Sequence, residues 1–118
     1  MSQFRLFSAA VRPAGGTAAI IDLSGEINAA ADTALNAAYA QAVQGQPDRL
    51  LLNFGDVDYI NSTGIALIVG LLAQARKAHV PLVTFGLSPH YQEIFRITRL
   101  ADFMGMTSDE ASALAGGQ

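Results

Sequence analysis

The feature that most restricts the fold of this chain is a short, continuous apolar run, Leu50-Leu51-Leu52, within the segment 49–54 between Pro47 and Gly55. A strand with one solvent-exposed face alternates apolar and polar residues, whereas a strand buried on both faces is continuously apolar, as in a parallel sheet. The run therefore predicts a central strand of a parallel sheet, and the extended form is expected to continue to residue 60.

The rest of the sequence alternates between strand patterns and helical patterns. Strands are expected at residues 6–11, 17–23, 81–85 and 103–106, and helices at residues 30–43, 62–78, 89–98 and 108–115. The turn-forming residues 13–16 predict a hairpin, and Ser88-Pro89 is typical of a helix start. The pattern predicts a single α/β domain over residues 1–118, with a mixed, largely parallel sheet of about five strands and about four helices.

The composition suits a packed domain. Hydrophobic residues make up 51% of the chain and charged residues 14%, which excludes the composition of a disordered protein. The net charge is -3 and no basic stripe is present, so we expect no nucleic-acid partner. The longest apolar stretch, residues 65–73, is about half the roughly 20 residues of a membrane helix, and the amino terminus lacks a secretory pattern. We expect a cytoplasmic protein without direct membrane insertion.

Few residues indicate catalysis or metal binding. The chain has no cysteine, which excludes disulfides, thiolate metal sites and a cysteine nucleophile. His79 and His90 are isolated and lack the spacing of metal ligands. Ser62 lacks the glycine-x-serine-x-glycine pattern of a nucleophile elbow, and Asp56 and Asp58 are expected to be solvated. We therefore expect a binding protein rather than an enzyme, with no catalytic residue, metal or cofactor.

The strongest candidate site is the hydroxyl turn, residues 61–64, with the sequence Asn61-Ser62-Thr63-Gly64. It lies between the apolar strand and the longest predicted helix. A hydroxyl at a helix start is most often a cap. The same position also favours a phosphate, because the first N–H groups are unpaired and the helix dipole is positive there. Two interpretations of Ser62 therefore stay open, a structural cap and a functional hydroxyl.

The helix predicted at residues 62–78 is apolar on more than one side. The face that we expect to pack on the sheet carries Ile65, Ile68, Val69 and Leu72. Beside it lies a stripe of small residues, Ala66, Gly70 and Ala73. Leu67 and Leu71 fall on the opposite side. These two leucines either form a docking patch beside the hydroxyl turn or are covered by a neighbouring helix.

Four motifs occur in order along the chain: residues 23–28 (Leu-Ser-Gly-Glu-Ile-Asn), residues 57–65 around the hydroxyl turn, Leu87-Ser88-Pro89, and Ile94-Phe95 with Thr98 and Leu100. In sequence and spacing they resemble the motifs of STAS domains, specifically the bacterial anti-sigma-factor antagonists. The resemblance covers residues 4–115 and implies a STAS-like α/β fold.

The resemblance also implies partner switching. An unphosphorylated antagonist binds an anti-sigma factor that is also a GHKL-type serine kinase, and this binding frees the sigma factor. Phosphorylation in the turn inactivates the antagonist, and a PP2C-type phosphatase restores it. The acceptor position corresponds to Ser62, with Thr63 as the second choice. The expected partner surface, on a monomer or weak dimer, comprises Glu26, Asn28, Asn61, Ser62, Thr63, Gly64, Leu67 and Leu71.

Three positions depart from the family pattern. Asn61 and Asn28 stand where the family has aspartates, and Arg99 stands where a glycine is common. The two asparagines remove a carboxylate while nearly preserving shape, which suggests a divergent antagonist. The alternative is a STAS subunit of another assembly, such as a lipid-transport ABC system, that binds through the same surface without phosphorylation.

Overall fold

The strands of the sheet lie side by side in chain order. The computed structural model describes residues 5–14 and 16–115. Within these residues the sheet has five strands: β1 (Ser8–Ala14), β2 (Ala18–Ile27), β3 (Arg49–Ile60), β4 (Leu82–Phe85) and β5 (Gly105–Thr107). β1 and β2 form an antiparallel hairpin, and β2 to β5 are mutually parallel. The predicted mixed, largely parallel sheet is confirmed.

Four α-helices accompany these strands in the described part of the chain: α1 (Asp32–Gln44), α2 (Ser62–Lys77), α3 (Pro89–Ile97) and α4 (Glu110–Ala115). The predicted start of α3 is confirmed, because the Ser88 hydroxyl accepts the N–H of Tyr91 at 3.3 Å and Pro89 is the first helical residue. Among the described residues, no helix combines the length and apolar character needed to cross a membrane.

The core lies on both faces of the sheet, as the apolar run in β3 predicted. Leu50 and Leu52 pack in the larger cluster with residues of α1, α2 and α3, whereas Leu51 packs on the other face with Ala113 of α4. All three leucines are 0% exposed. β3 is therefore covered on both faces at its start, whereas residues 55–59, which lead to the turn, are exposed or half-buried.

The short helix α4 is held on its face of the sheet by arginines. The Arg12 guanidinium lies 2.6 Å from a carboxylate oxygen of Asp22 and 2.6 Å from one of Glu110. The Arg49 side chain donates to the carbonyl of Leu114 at 2.7 Å. These contacts tie both ends of α4 to strands β1, β2 and β3.

Several element boundaries differ from the predicted ones. β1 runs on through Pro13, which an edge strand tolerates because only one of its sides is hydrogen-bonded. β2 continues to Ile27 past an irregularity at Gly25, whose φ of 85° favours glycine. β5 begins at residue 105 because Leu100–Asp102 forms a 3-10 turn. Residue 15 of the predicted turn and the predicted tail at residues 116–118 lie outside the described residues.

Candidate functional site

The hydroxyl turn lies where two neighbouring parallel strands end. β2 and β3 pair as far as Ile27 and Ile60, so the residues that follow them meet at one edge of the sheet. Glu26 and Asn28 therefore lie on the strand end next to Asn61. The structure thus brings the first and second sequence motifs together at this edge.

Asn61 caps α2. Its backbone is extended (φ -88°, ψ -178°), and its side-chain Oδ1 accepts the N–H of Gly64 at 2.8 Å. The Asn61 N–H donates to the carbonyl of Ile27 at 3.2 Å. This bond continues the β2–β3 pairing and keeps Asn61 extended, so the first helical residue is Ser62. The interpretation of Ser62 as the cap is therefore wrong.

Neither of the two hydroxyl residues of the turn is therefore needed to cap the helix. Ser62 and Thr63 occupy the first two helical positions and are exposed. Neither hydroxyl forms a hydrogen bond with another residue that the structure describes. Their backbone N–H groups have no carbonyl partner within the helix, since the first turn always lacks one. The site thus presents free hydroxyls beside unpaired amides and a positive dipole end.

Gly64 is required at the fourth position of the turn by a close approach of β2. A Cβ atom added there would lie 2.1 Å from the carbonyl oxygen of Ile27 and 2.9 Å from a methyl group of Ile60. No side chain fits at such distances without displacing the backbone. The start of α2 is therefore pressed directly against β2, which fixes the position of the two hydroxyls.

The residues after β2 form the neighbouring part of the site. The Asn28 side chain accepts the N–H of Ala30 at 2.9 Å and caps the 3-10 turn Ala29–Ala31. An aspartate would cap equally well, so the asparagine preserves the backbone and changes only the charge. Glu26 is half-buried, and its carboxylate has no hydrogen-bond or ion-pair partner in the described part of the chain.

An ion pair fixes the strand that leads into the turn. The Arg5 side chain donates to Asp58 at 3.1 Å and to the carbonyl of Asp56 at 2.6 Å. The side-chain hydrogen bond from Arg5 lowers the pKa of Asp58 below its usual value. Asp58 therefore stays ionised beside the Arg5 guanidinium. No spacing pattern predicts this contact, because Arg5 and Asp58 are distant along the chain.

The orientation of α2 differs from the predicted one. Leu71 is 1% exposed and belongs to the core, together with Ile68, Leu72 and Ala75. Val69, which was expected in the core, is 45% exposed. Gly64 lies on the same buried side as Leu71, so the side of α2 that carries the close approach to Ile27 is the side that is covered.

The prediction that Leu67 and Leu71 form an exposed docking patch is therefore wrong. Leu71 is fully covered, and Leu67 is only partly exposed and packs against the core. The exposed side of α2 is instead the outer face, which comprises Ser62, Thr63, Ala66, Val69, Gly70 and Ala73. The stripe of small residues thus faces outward and is continuous with the two hydroxyls.

The described residues contain no cluster of three or more His, Asp or Glu side chains that could hold a metal ion. A hollow of about 370 Å³ lies at the opposite edge of the sheet, between the β1–β2 hairpin and the end of α1. It is remote from the hydroxyl turn, since β2 and β3 start there and end at the turn.

The fold, the four motifs and the hydroxyl turn together define a STAS domain. The sequence matches the family described as Mlab, STAS domain, over residues 11–107, which is most of the chain. The chain therefore belongs to the STAS domain family, and its named relatives make it one of the anti-sigma-factor antagonist type.

One such relative is BtrV of Bordetella bronchiseptica, described as a candidate anti-sigma factor antagonist. It is 35% identical over 94 residues, which cover 79% of this chain and 81% of BtrV. An anti-sigma factor antagonist from Mycobacterium paratuberculosis has a similar structure, with a TM-score of 0.79, 16% identity and coverage of 94% of this chain and 93% of that one.

The phosphorylated form of the Bacillus cell fate determinant SpoIIAA is also similar in structure, with a TM-score of 0.71 and 20% identity. The similarity covers 94% of this chain and 100% of SpoIIAA. At such identities the two structures establish the fold alone.

Proposed function

We propose that this protein is an anti-sigma-factor antagonist that acts by partner switching. In its unphosphorylated state it binds an anti-sigma factor that is also a GHKL-type serine kinase. Phosphorylation of Ser62 ends the binding, and a PP2C-type phosphatase restores it. The observation that carries the proposal is the free, exposed hydroxyl of Ser62 at a helix start that Asn61 already caps.

A phosphate on Ser62 is compatible with the fold. It would add up to about two negative charges beside the unpaired amides and the positive dipole end of α2. No structural hydrogen bond would be lost, because the Ser62 hydroxyl makes none within the described residues. The modification would therefore change the charge of the binding surface without unfolding the helix. Thr63 is equally exposed and is the second candidate acceptor.

The proposed partner surface is centred on the turn and continues along α2. Glu26 and Asn28 flank the turn on one side, and the outer face of α2 extends it on the other. Leu71 is not part of this surface because it is buried, and Leu67 contributes only its exposed part. The small residues of the outer face allow a partner helix to approach α2 closely.

Binding, rather than catalysis, is the proposed activity. The site offers hydroxyls and amides, but no general base lies within hydrogen-bond distance of Ser62 in the described part of the chain. The protein is proposed to act as a single cytoplasmic STAS domain, as a monomer or weak dimer, where its kinase and phosphatase are also found.

The test is affinity capture of the full-length protein from its native cells, with the captured partners and the phosphorylated residues identified by mass spectrometry. Ser62→Ala serves as the matched control that cannot be phosphorylated there. We expect an anti-sigma factor with a kinase domain among the partners and phosphate on Ser62. Recovery of such a partner with Ser62 never phosphorylated would contradict the switching step.

The outer face is tested by Val69→Glu, with Leu67→Glu as the comparison. Val69 is 45% exposed, so the glutamate should leave the urea midpoint nearly unchanged and weaken partner binding about ten-fold. Leu67 packs against the core, so Leu67→Glu should lower stability. Normal binding by a folded Val69→Glu protein would exclude the outer face as the partner surface.

A second candidate function is that of a STAS subunit in another assembly, such as a lipid-transport ABC system. Asn61 and Asn28 favour it, because they lack the carboxylates of the family's aspartates. Those carboxylates are not needed where binding does not depend on phosphorylation. The same capture experiment separates the two functions. A transporter ATPase as the main partner, with unmodified Ser62, would establish the second.

A further inference from the structure

The end of β3 lacks a neighbouring strand on one side. β3 pairs with β4 only from Leu50 to Asn53, whereas its pairing with β2 continues to Ile60. The N–H and C=O groups of Ile60 point away from β2, because Asn61 is the residue that bonds to β2 there. Such groups need a partner when they are partly buried.

Tyr91 supplies that partner. Its hydroxyl accepts the N–H of Ile60 at 2.9 Å and donates to the carbonyl of Ile60 at 3.3 Å. One side chain of α3 thus satisfies both backbone groups that a strand would otherwise satisfy. Ile60 directly precedes the cap residue Asn61, so the tyrosine acts on the backbone one residue before the hydroxyl turn begins.

Tyr91 is itself held in place. Its backbone N–H is the group that the Ser88 hydroxyl caps at 3.3 Å, and its half-buried ring packs against the main core. The ring also lines a hollow of about 110 Å³ together with Phe54, Val57 and Leu87. The Tyr91 ring is therefore already held in place, and its hydroxyl reaches Ile60 without further ordering of the side chain.

We propose that Tyr91 is a positioning residue for the hydroxyl turn, and this inference rests on the proposed phosphorylation of Ser62. The turn is held from both sides: β2 bonds to Asn61, and Tyr91 of α3 bonds to Ile60. Removing the Tyr91 contact leaves the cap attached to β2 alone. The turn then moves more freely, and Ser62 is presented in more than one orientation.

Tyr91→Phe tests the proposal because it keeps the ring and removes only the hydroxyl. Hydrogen exchange by mass spectrometry is measured on the full-length protein. Tyr39→Phe is the matched control, since the buried Tyr39 in α1 makes no hydroxyl hydrogen bond to the described residues. We expect exchange in residues 58–66 to be about ten-fold faster in Tyr91→Phe than in the control. Unchanged exchange, or an equal rise along the whole chain, overturns the proposal.

The second readout is phosphorylation of Ser62 by the serine kinase recovered in the capture experiment. The outer face of α2 is intact in Tyr91→Phe, so KM should stay within about two-fold while kcat falls about five-fold. An unchanged kcat overturns the proposal, as does a rise in KM alone. If wild-type Ser62 is not phosphorylated at all, the proposed function fails, and hydrogen exchange alone decides whether Tyr91 positions the turn.

Discussion

The helices α2 and α3 both start at a serine, and the two serines have different roles. At α3, Ser88 is the cap: its hydroxyl accepts the N–H of Tyr91 at 3.3 Å. At α2, the preceding Asn61 is the cap, with its amide oxygen 2.8 Å from the N–H of Gly64. Ser62 is therefore the first helical residue and its hydroxyl stays free.

The comparison shows that a serine at a helix start is the cap in one case and is not the cap in the other, where the residue before it is the cap. A capping hydroxyl is engaged by the backbone, so a phosphate on it would have to be accommodated at the cap bond itself. A hydroxyl one position later, behind an asparagine cap, can be modified while the cap bond of Asn61 stays as it is. The difference between Ser88 and Ser62 thus separates a structural hydroxyl from one suited to a switch.

The largest effect is expected from Gly64→Ala. The added Cβ would lie 2.1 Å from the Ile27 carbonyl oxygen, so α2 must move away from β2. We expect a loss of about 3 kcal/mol or more in the free energy of unfolding, measured by urea denaturation. The control is Gly70→Ala on the same helix, where a Cβ meets nothing within 4 Å. This substitution should raise the free energy of unfolding by about 0.5–1 kcal/mol. Equal behaviour of the two variants would contradict the close contact.

The next effect concerns the cap of α2. Asn61→Ala removes the acceptor for the Gly64 N–H and should lower the free energy of unfolding by about 1–2 kcal/mol. Asn61→Asp keeps the cap and restores the carboxylate of the family pattern, so its stability should equal or slightly exceed that of the wild type. The measurement is again urea denaturation. A stable Asn61→Ala protein would show that another residue caps α2.

Local signals made most of the fold predictable. The continuous leucines of β3 indicated a strand buried on both faces, and Ser88-Pro89 indicated the start of α3; both predictions are confirmed. The orientation of α2 could not be predicted in this way. Apolar residues occur on several sides of this helix, and the buried side is the one that carries the contact of Gly64 with Ile27, which is remote in sequence.

The candidate site was predictable in position but not in detail. The strand-to-helix transition located the hydroxyl turn, and the motifs placed Glu26 and Asn28 near it. The cap role of Asn61 depends on its hydrogen bond to β2, and the contacts of Arg5 and Tyr91 come from distant segments. Such pairings depend on the three-dimensional arrangement of the elements and leave no spacing pattern in the sequence.

The smallest effects compare the two serines directly. Ser88→Ala should lower the free energy of unfolding by about 1 kcal/mol, since a cap is lost. Ser62→Ala should change it by less than about 0.5 kcal/mol, because no hydrogen bond is lost. Thermal or urea unfolding of the two variants side by side measures the difference. An equal loss in the free energy of unfolding for both variants would mean that the Ser62 hydroxyl also forms a hydrogen bond that stabilises the fold.

The most direct test of the switch is the affinity of the captured anti-sigma factor for Ser62→Asp, measured by titration calorimetry beside the wild type. Ser62→Ala and Ser88→Asp are the controls; the latter adds a charge at the other helix start, where aspartate is an equally good cap. We predict that Ser62→Asp weakens binding by about ten-fold or more, while both controls stay within about two-fold of the wild type. Binding of Ser62→Asp as tight as that of the wild type would contradict the switch.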